Sequence, residues 1–330
     1  MKLRIDFVDF WKGFDKENNY FINVLKKIYG ERNVIVVDKP DFLFFSCFGY
    51  KNLKYNCIKI FFAGENLVPD FNLCDYAIGF HEIRFNDRYF RMPLYHIYDD
   101  AYRRALRRQT YEDAFYLNRK FCCSIISNSL GSPERSQMVE LLNNYKKIDN
   151  GGRYRNNIGG RIKNKIDFES KYKFILCFEN SSTMGYTTEK LIEGFAGGGI
   201  PIYWGNPNVE REYNGKAFIN CHHFATLRDA VDFAKELDQN DSKYLKMVRE
   251  NIFGNGGEAG KYETIQSGME EFLRGIFEQE YANAFRKNDN GQGKLYIFRM
   301  RHLRILLEAC RKIQRIGSFI KNRIICLAGK

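Results

Sequence analysis

A cluster of polar residues between positions 180 and 190 has the types and spacing that a sugar-nucleotide site needs. Lys190 and Glu189 lie in the first turn of a helical pattern that starts near Thr187, after the small polar residues 181–185. A lysine in a first helical turn, where backbone amides already favour an anion, is suited to phosphate. The carboxylate can accept two hydrogen bonds from a ribose diol, and Asn180 and Tyr186 can each donate and accept. The alternative is an ordinary strand–loop–helix connection with a solvated loop.

Two further residues have the chemistry of group transfer. Glu65 follows an apolar run and Gly64, at a strand end where a carboxylate can act as a general base on a sugar hydroxyl. Arg135 lies near the start of a predicted helix at 133–145, and its planar guanidinium can bridge two phosphate oxygens. A solvated loop glutamate and a surface arginine are the competing interpretations of these two positions.

The elements around the polar cluster predict a βαβ unit. The apolar run 173–178 has the length of a buried parallel strand, and a helix is expected from near Thr187, whose hydroxyl can cap it. The glycines at 197–199 end that helix, and 200–204 form the next strand. Because open α/β sheets bind ligands at the carboxyl ends of their strands, this unit positions the polar cluster for ligand binding.

Strands and helices alternate along most of the chain, which predicts an α/β fold of doubly wound sheets. The Gly-, Asn-, Arg- and Lys-rich stretch 146–165 is interpreted as an interdomain linker. The expected organisation is an acceptor-side Rossmann-like domain at 1–150, a second Rossmann-like domain for a nucleotide sugar at 151–288, and a basic amphipathic tail at 289–330.

Composition limits the classes of protein that this chain can represent. With 330 residues, 44% hydrophobic and 16% aromatic, it is long enough for two cores and is not intrinsically disordered. The formal charge of +12 suits an acidic partner such as a nucleotide diphosphate, an anionic membrane face or nucleic acid. Nine scattered cysteines predict reduced thiols and a cytoplasmic protein. We expect neither a signal peptide nor a transmembrane helix.

Two ordered blocks of sequence resemble the α-1,3/4-fucosyltransferase family, glycosyltransferase family 10, and above all its bacterial members that make Lewis-type glycans. The first block is FFAGENLVPDFNLCDYAIGFHEIRFNDRYFRMPLY (61–95), and the second is FEN, GYTTEKL and GGGIPIYWGNPNV within 178–209. The resemblance implies a glycosyltransferase-B-like fold with a cleft between its domains. It also implies inverting transfer of L-fucose from GDP-fucose to an N-acetyllactosamine-type glycan, through α-1,3 or α-1,4 linkage.

The resemblance also implies roles for individual residues. Glu65 corresponds to the family's general base, and Arg135 to an arginine on the diphosphate. Asn180, Tyr186, Glu189 and Lys190 then form the GDP-fucose site. No Asp-x-Asp sequence occurs in the chain, so we expect that no divalent metal or other cofactor is required.

The basic tail carries an apolar stripe from Leu295 to Leu327 with arginines on its other faces. This pattern predicts an interfacial helix on the anionic inner membrane surface, and a helix docked on the protein body is the alternative. Three rival functions stay open at this point: a transferase for another GDP-sugar, a nucleic-acid-binding protein and a non-catalytic glycan-binding protein. The basic excess lies in the tail and the aromatics lie in apolar runs, so we expect no nucleic-acid partner.

Overall fold

The computed structural model describes residues 2–107, 111–128, 131–254, 262–288, 290–306 and 310. The chain divides into two compact units. Unit 1 comprises Met1–Gly79, Ile83–Phe90 and Met269–Lys330, and unit 2 comprises Phe80–Glu82 and Arg91–Gly268. Each unit is built on its own sheet.

Unit 1 contains a six-stranded sheet in the order β2-β1-β3-β4-β5-β6. The strands are β1 (Leu3–Val8), β2 (Val34–Val36), β3 (Phe42–Phe45), β4 (Ile58–Phe62), β5 (Tyr76–Gly79) and β6 (Tyr89–Arg91). β1 to β5 pair in parallel. β3, β4 and β5 are buried along their whole length, as expected for parallel strands that are covered on both faces.

Unit 2 contains a five-stranded parallel sheet in the order β11-β10-β9-β7-β8. The strands are β7 (Lys120–Ser124), β8 (Asp149–Asn150), β9 (Tyr172–Phe178), β10 (Ile200–Trp204) and β11 (Ile219–Asn220). The chain first adds β8 outside β7, then returns to β9 on the other side and continues to β11. The strand order therefore reverses between β7 and β9, which is where doubly wound folds bind their ligands.

The helices cover these sheets. They are α1 (Tyr20–Tyr29), α2 (Asp99–Leu106), α3 (Asp113–Leu117), α4 (Pro133–Tyr145), α5 (Lys165–Glu169), α6 (Glu189–Ala196), α7 (Leu227–Gln239), α8 (Asp241–Val248), α9 (Tyr262–Phe277), α10 (Tyr281–Ala284) and a further helix at residues 291–306. In unit 2, Met138 of α4 and Ala230 of α7 share one core with Phe174 of β9. Ile192 of α6 shares the other with Ile175, the next residue of the same strand. Both faces of the sheet are thus buried.

Aromatic rings dominate the core of unit 1. Phe21 of α1 packs against Phe44 and Phe62, with ring centroids 5.3 and 4.9 Å apart. Phe277, near the end of α9, lies 4.4 Å from Phe42 of β3. Such rings each bury a large apolar area. The C-terminal part of α9 is therefore held in the core of unit 1, although it is distant in sequence from the strands that it contacts.

The predicted domain boundary at residue 150 requires correction. β7 and β8, both before residue 151, belong to the same sheet as β9, so unit 2 begins near residue 91. The predicted linker 146–165 is part of unit 2, where asparagine side chains replace apolar contacts. Asn157 Nδ2 donates to the Ile148 carbonyl at 2.9 Å, and Asn150 Nδ2 donates to the Arg155 carbonyl at 3.1 Å. Polar composition here reflects an ordered loop.

The C-terminal region also differs from the predicted division. Residues from Met269 onward belong to unit 1, so 151–288 is not one domain. Residues 291–306 of the predicted tail are helical, while 307–309 and 311–330, which carry much of the predicted stripe, lie outside the described residues. Within the described chain, no helix is long and apolar enough to cross a membrane.

Candidate active site

The predicted βαβ unit is confirmed. β9 and β10 pair in parallel, with Phe174 opposite Ile200, and α6 connects them. The N-cap of α6 is Thr188, whose side chain accepts from the Lys190 amide, one residue later than predicted. The hydroxyl of Thr187 is used elsewhere, because it accepts from Asn206 Nδ2 at 3.0 Å.

A cavity of about 240 Å³ opens at the carboxyl ends of β7 and β9. It therefore lies at the point where the strand order of unit 2 reverses. Four of the six predicted site residues line it: Arg135, Asn180, Glu189 and Lys190. They come from α4, the loop after β9 and the first turn of α6, so the fold brings together residues that are up to 55 positions apart in the sequence.

Lys190 is held at this cavity by a fully buried carboxylate. Its Nζ lies 2.8 Å from Glu179 Oε2 and 3.0 Å from the hydroxyl of Thr188. Burial lowers the pKa of Lys190, but the charges of Glu179 and Glu189 outweigh this effect and hold its pKa above the usual value. The Lys190 side chain remains 22% exposed. A charged ammonium group thus faces the cavity at the N-terminus of α6.

Glu189 carries the acidic charge next to that ammonium group. Its Oε1 lies 3.8 Å from Lys190 Nζ. Burial raises the pKa of Glu189, yet Lys190 and Lys165 together lower it below its usual value. The carboxylate is therefore ionised at neutral pH and can accept hydrogen bonds from hydroxyl groups.

Arg135 and Asn180 also line the cavity. Arg135 Nη1 donates to Asn180 Oδ1 at 3.1 Å, and Nη2 donates to the Asn128 carbonyl. The backbone of the two segments is also linked, since the Ser132 amide donates to the Asn180 carbonyl at 3.0 Å. Burial lowers the pKa of Arg135, although a guanidinium stays charged in any protein environment. The cavity lining thus includes cations from different elements, among them Lys190 of α6 and Arg135 of α4.

Tyr186 is not among the residues that line this cavity. Its side chain is 1% exposed, and its ring lies 4.8 Å from Phe80. The preceding Gly185 adopts φ +85°, and a Cβ there would lie 2.2 Å from the Phe80 carbonyl oxygen. Only glycine fits this approach. The predicted contact between Tyr186 and a nucleotide sugar stays a prediction.

A buried polar network holds the loop between β9 and α6. Arg91 pairs with Glu212, which is 1% exposed and also accepts from the hydroxyl of Thr187 at 3.3 Å. Asn206 Oδ1 accepts from the Gly185 amide at 2.8 Å. These contacts hold both ends of the loop on buried polar side chains of unit 2.

Glu65 lies in unit 1, just after β4, and is exposed. Gly64 before it has no room for a side chain, since a Cβ would lie 2.8 Å from the Phe48 ring. The strand-end position that the sequence predicted for Glu65 is confirmed. Its role as a general base stays a prediction.

Sequence reasoning missed three acidic and basic residues. Glu179 follows the predicted strand 173–178 without an assigned role, yet it accepts from the Thr188 amide and hydroxyl at 2.8 and 2.7 Å and holds Lys190. Lys165 and Glu169 of α5 also line the cavity. An acid directly after a seven-residue buried strand was a usable signal for Glu179. Nothing in the polar stretch 146–165 distinguished Lys165, and Glu169 lies just beyond it.

A metal site requires a group of side chains that can act together as ligands. Among the residues that the structure describes, no group of three or more His, Cys, Asp or Glu side chains is arranged to hold a metal ion. The positive charge at the cavity comes from Lys165, Lys190 and Arg135.

Comparison with known proteins finds two family models that match the chain. Residues 5–98 match the α-(1,3)-fucosyltransferase FucT N-terminal domain, and residues 117–249 match the C-terminal domain of glycosyltransferase family 10 (fucosyltransferase). The α-(1,3)-fucosyltransferase FucT of Helicobacter pylori is 36% identical over 297 residues, covering 77% of this chain and 62% of that protein. The chain thus spans about three fifths of this curated relative.

Solved structures extend the similarity to the fold. A crystal structure of an α1,3-fucosyltransferase superimposes with a TM-score of 0.71 at 31% identity, covering 83% of this chain and 90% of that one. A second, solved with GDP-fucose, gives a TM-score of 0.67 at 31% identity, with coverages of 85% and 92%. The predicted fold class of two Rossmann-like units is confirmed. The chain therefore belongs to glycosyltransferase family 10, the fucosyltransferases.

Proposed function

We propose that this protein transfers L-fucose from GDP-fucose to a hydroxyl group of an N-acetyllactosamine-type glycan, with α-1,3 linkage favoured over α-1,4. The observation that carries the proposal is the cavity at the strand-order reversal of unit 2, lined by Lys190, Arg135 and Glu189. Two cations next to a ribose-compatible carboxylate suit a nucleoside diphosphate. Family membership and the relative solved with GDP-fucose support guanine as the base and fucose as the sugar of this nucleotide.

On the donor side, Lys190 and Arg135 bind the diphosphate, and Glu189 accepts from the ribose hydroxyls. Asn180 and Tyr186 complete the donor site. As the bond between the fucose C1 and the phosphate oxygen breaks, GDP leaves with the electron pair and gains negative charge. Preorganised cations at that position stabilise the transition state more than the ground state. Since these side chains supply the charge, we expect no essential divalent metal or other cofactor.

On the acceptor side, Glu65 acts as the general base. The acceptor oxygen attacks C1 from the face opposite GDP, its proton passes to the Glu65 carboxylate, and the configuration at C1 inverts. General base catalysis of this kind contributes on the order of 10²–10⁴ in rate. The exposed position of Glu65 after β4 leaves the carboxylate accessible to such a substrate.

The direct experiment is a transfer assay on N-acetyllactosamine with GDP-fucose, GDP-mannose and UDP-galactose, in EDTA and in Mn²⁺. We expect turnover with GDP-fucose alone, undiminished by EDTA. Glu65→Gln should lower kcat by about 100-fold or more while GDP affinity stays unchanged. Transfer only from GDP-mannose would assign another GDP-sugar, and near-normal kcat in the variant would remove Glu65 from the mechanism.

We also propose that the C-terminal tail attaches the protein to the anionic inner face of the membrane, where an enzyme of lipopolysaccharide or Lewis-type glycan synthesis would meet its acceptor. In the described helix 291–306, Phe298 and Ile305 are 55% and 68% exposed. The same helix contacts the body of unit 1, since the hydroxyl of Tyr296 donates to Asp70 at 2.7 Å. Truncation after Gly293 should abolish binding to anionic vesicles and leave transfer intact. Vesicle binding that survives truncation would contradict the proposal.

A further inference from the structure

Glu169 is a buried carboxylate that the proposed mechanism does not use. It is 2% exposed and lines the same cavity as Lys190. Its Oε1 lies 3.9 Å from Lys165 Nζ, beyond hydrogen-bond distance. Its Oε2 is buried and has no hydrogen-bond partner among the residues that the structure describes. A buried carboxylate oxygen without a partner is destabilising, so a role in ligand binding accounts for it better than a structural one.

Lys165 does not satisfy this carboxylate. Its ammonium group pairs with Glu193 of α6 instead. Lys165 therefore has an acidic partner without Glu169, and the Oε2 atom of Glu169 remains available to a bound molecule.

The lining of this cavity contains both cations and carboxylates. Arg135 donates to Asn180 at 3.1 Å, and Glu189 lies 3.8 Å from the ammonium group of Lys190. Glu169 lines the same cavity on the side of Lys165, whose ammonium group is 3.9 Å away. If Lys190, Arg135 and Glu189 take the diphosphate and the ribose, Glu169 is left as an acceptor for a base edge that donates hydrogen bonds.

We propose that Glu169 binds the guanine base, accepting hydrogen bonds from N1–H and from the 2-amino group. This inference rests on the proposed function and deepens it, because it names the residue that selects guanine. Guanine presents these two donors side by side, and the two oxygens of a carboxylate can accept one hydrogen bond each. Adenine presents an acceptor at N1 and no amino group at C2, which would leave the carboxylate unpaired. Glu169 is thus a specificity-determining residue for the nucleotide.

The test is calorimetric binding of GDP and inosine diphosphate, which differ only in the 2-amino group. The wild-type protein should bind GDP about 10- to 100-fold more tightly, as expected for one hydrogen bond to a charged group. Glu169→Leu removes all acceptor capacity and should bring the ratio of the two affinities close to one. Glu169→Gln keeps the shape of the side chain and replaces the leucine variant if that variant does not fold. It should lower the ratio of GDP to inosine diphosphate affinity at least about threefold.

Glu193→Gln is the matched control, because it changes the same charge cluster from a side chain outside the cavity lining. It should keep the wild-type ratio of GDP to inosine diphosphate affinity. A purely structural role for Glu169 would weaken both nucleotides equally and leave the ratio unchanged, and that result would overturn the proposal. Equal binding of the two nucleotides by the wild-type protein would also overturn it, without touching the proposed function. Binding of UDP with neither purine nucleotide bound would instead defeat the proposed function itself.

Discussion

Each unit holds a lysine against a fully buried carboxylate, and the two pairs differ in what surrounds them. In unit 1, Lys287 pairs with Asp75 and the two side chains are 3% and 0% exposed. In unit 2, Lys190 pairs with Glu179 at 2.8 Å and the side chains are 22% and 0% exposed. The first pair is closed to solvent, whereas the second faces a cavity.

The hydrogen bonds of the two carboxylates explain the difference. Asp75 accepts from the backbone amides of Lys59, Arg286 and Lys287 at 2.7 to 2.8 Å. These hydrogen bonds join β4 to the segment after α10. The ammonium group of Lys287 is buried against Asp75 and is not accessible to a ligand. Glu179 accepts from Thr188, which orders the start of α6 and directs Lys190 to the cavity. We infer that a closed pair stabilises the fold and an open pair prepares a binding site.

Breaking the closed pair should have the largest effect on stability. Asp75→Ala leaves Lys287 buried without its partner, which costs about 3–5 kcal/mol in comparable cases. Urea denaturation should show a loss of this size in the free energy of unfolding. The control is Asp41→Ala, since Asp41 lies 4.0 Å from Arg4 with both side chains about half exposed. That change should cost no more than about 1 kcal/mol. Equal losses in the two variants would contradict the distinction.

Breaking the open pair should mainly affect binding. Lys190→Ala removes a charge-assisted contact to the diphosphate, worth roughly 1.5–3 kcal/mol or about 10- to 100-fold in GDP affinity. Calorimetry with GDP measures this directly. Lys173→Ala on the adjacent strand β9, whose lysine lies 3.4 Å from Asp238 and does not line the cavity, should keep wild-type affinity. Unchanged affinity in the Lys190 variant would move the diphosphate elsewhere.

The pH dependence of stability should sharpen the comparison further. Burial is the main cause that raises the pKa of Glu169 to about 7, from 4.5. Between these values the folded state binds the proton more tightly than the unfolded chain, so this group's contribution to stability is lost as the pH rises from 4.5 to 7. Glu169→Gln has no ionisable group at this position, so its free energy of unfolding does not decrease through this ionisation. The variant should gain on the order of 1–3 kcal/mol relative to wild type between pH 5 and pH 8, measured by urea denaturation. A pH-independent difference would contradict the raised pKa.

The sequence predicted the parts of the site that are local. Asn180, Glu189 and Lys190 lie within one βαβ unit, whose strand, loop and helix have distinct residue patterns. Arg135 was identified through the family resemblance, and its contact with Asn180 depends on α4 packing beside β9. Glu169 was missed because its environment is created by α6, twenty residues later, and its own surroundings in the sequence are polar.

The predicted domain boundary at residue 150 was misplaced because it depended on composition alone. Sequence composition distinguishes apolar from polar segments, and 146–165 is polar. In the structure, asparagine side chains of this segment bind backbone carbonyls, an arrangement that composition does not reveal. The return of the C-terminal part of α9 to unit 1 depends on Phe277 packing against Phe42, a contact across more than 200 residues of sequence. Neither feature has a local signature.

The central claim is that the nucleotide binds in the cavity of unit 2, and a crystal structure with GDP tests it most directly. We expect the diphosphate against Lys190 and Arg135, the ribose hydroxyls at Glu189 and the guanine edge at Glu169. GDP bound instead in the larger groove of unit 2, about 500 Å³ and lined by residues such as Phe224, with the cavity at Lys190 unoccupied, would contradict the account.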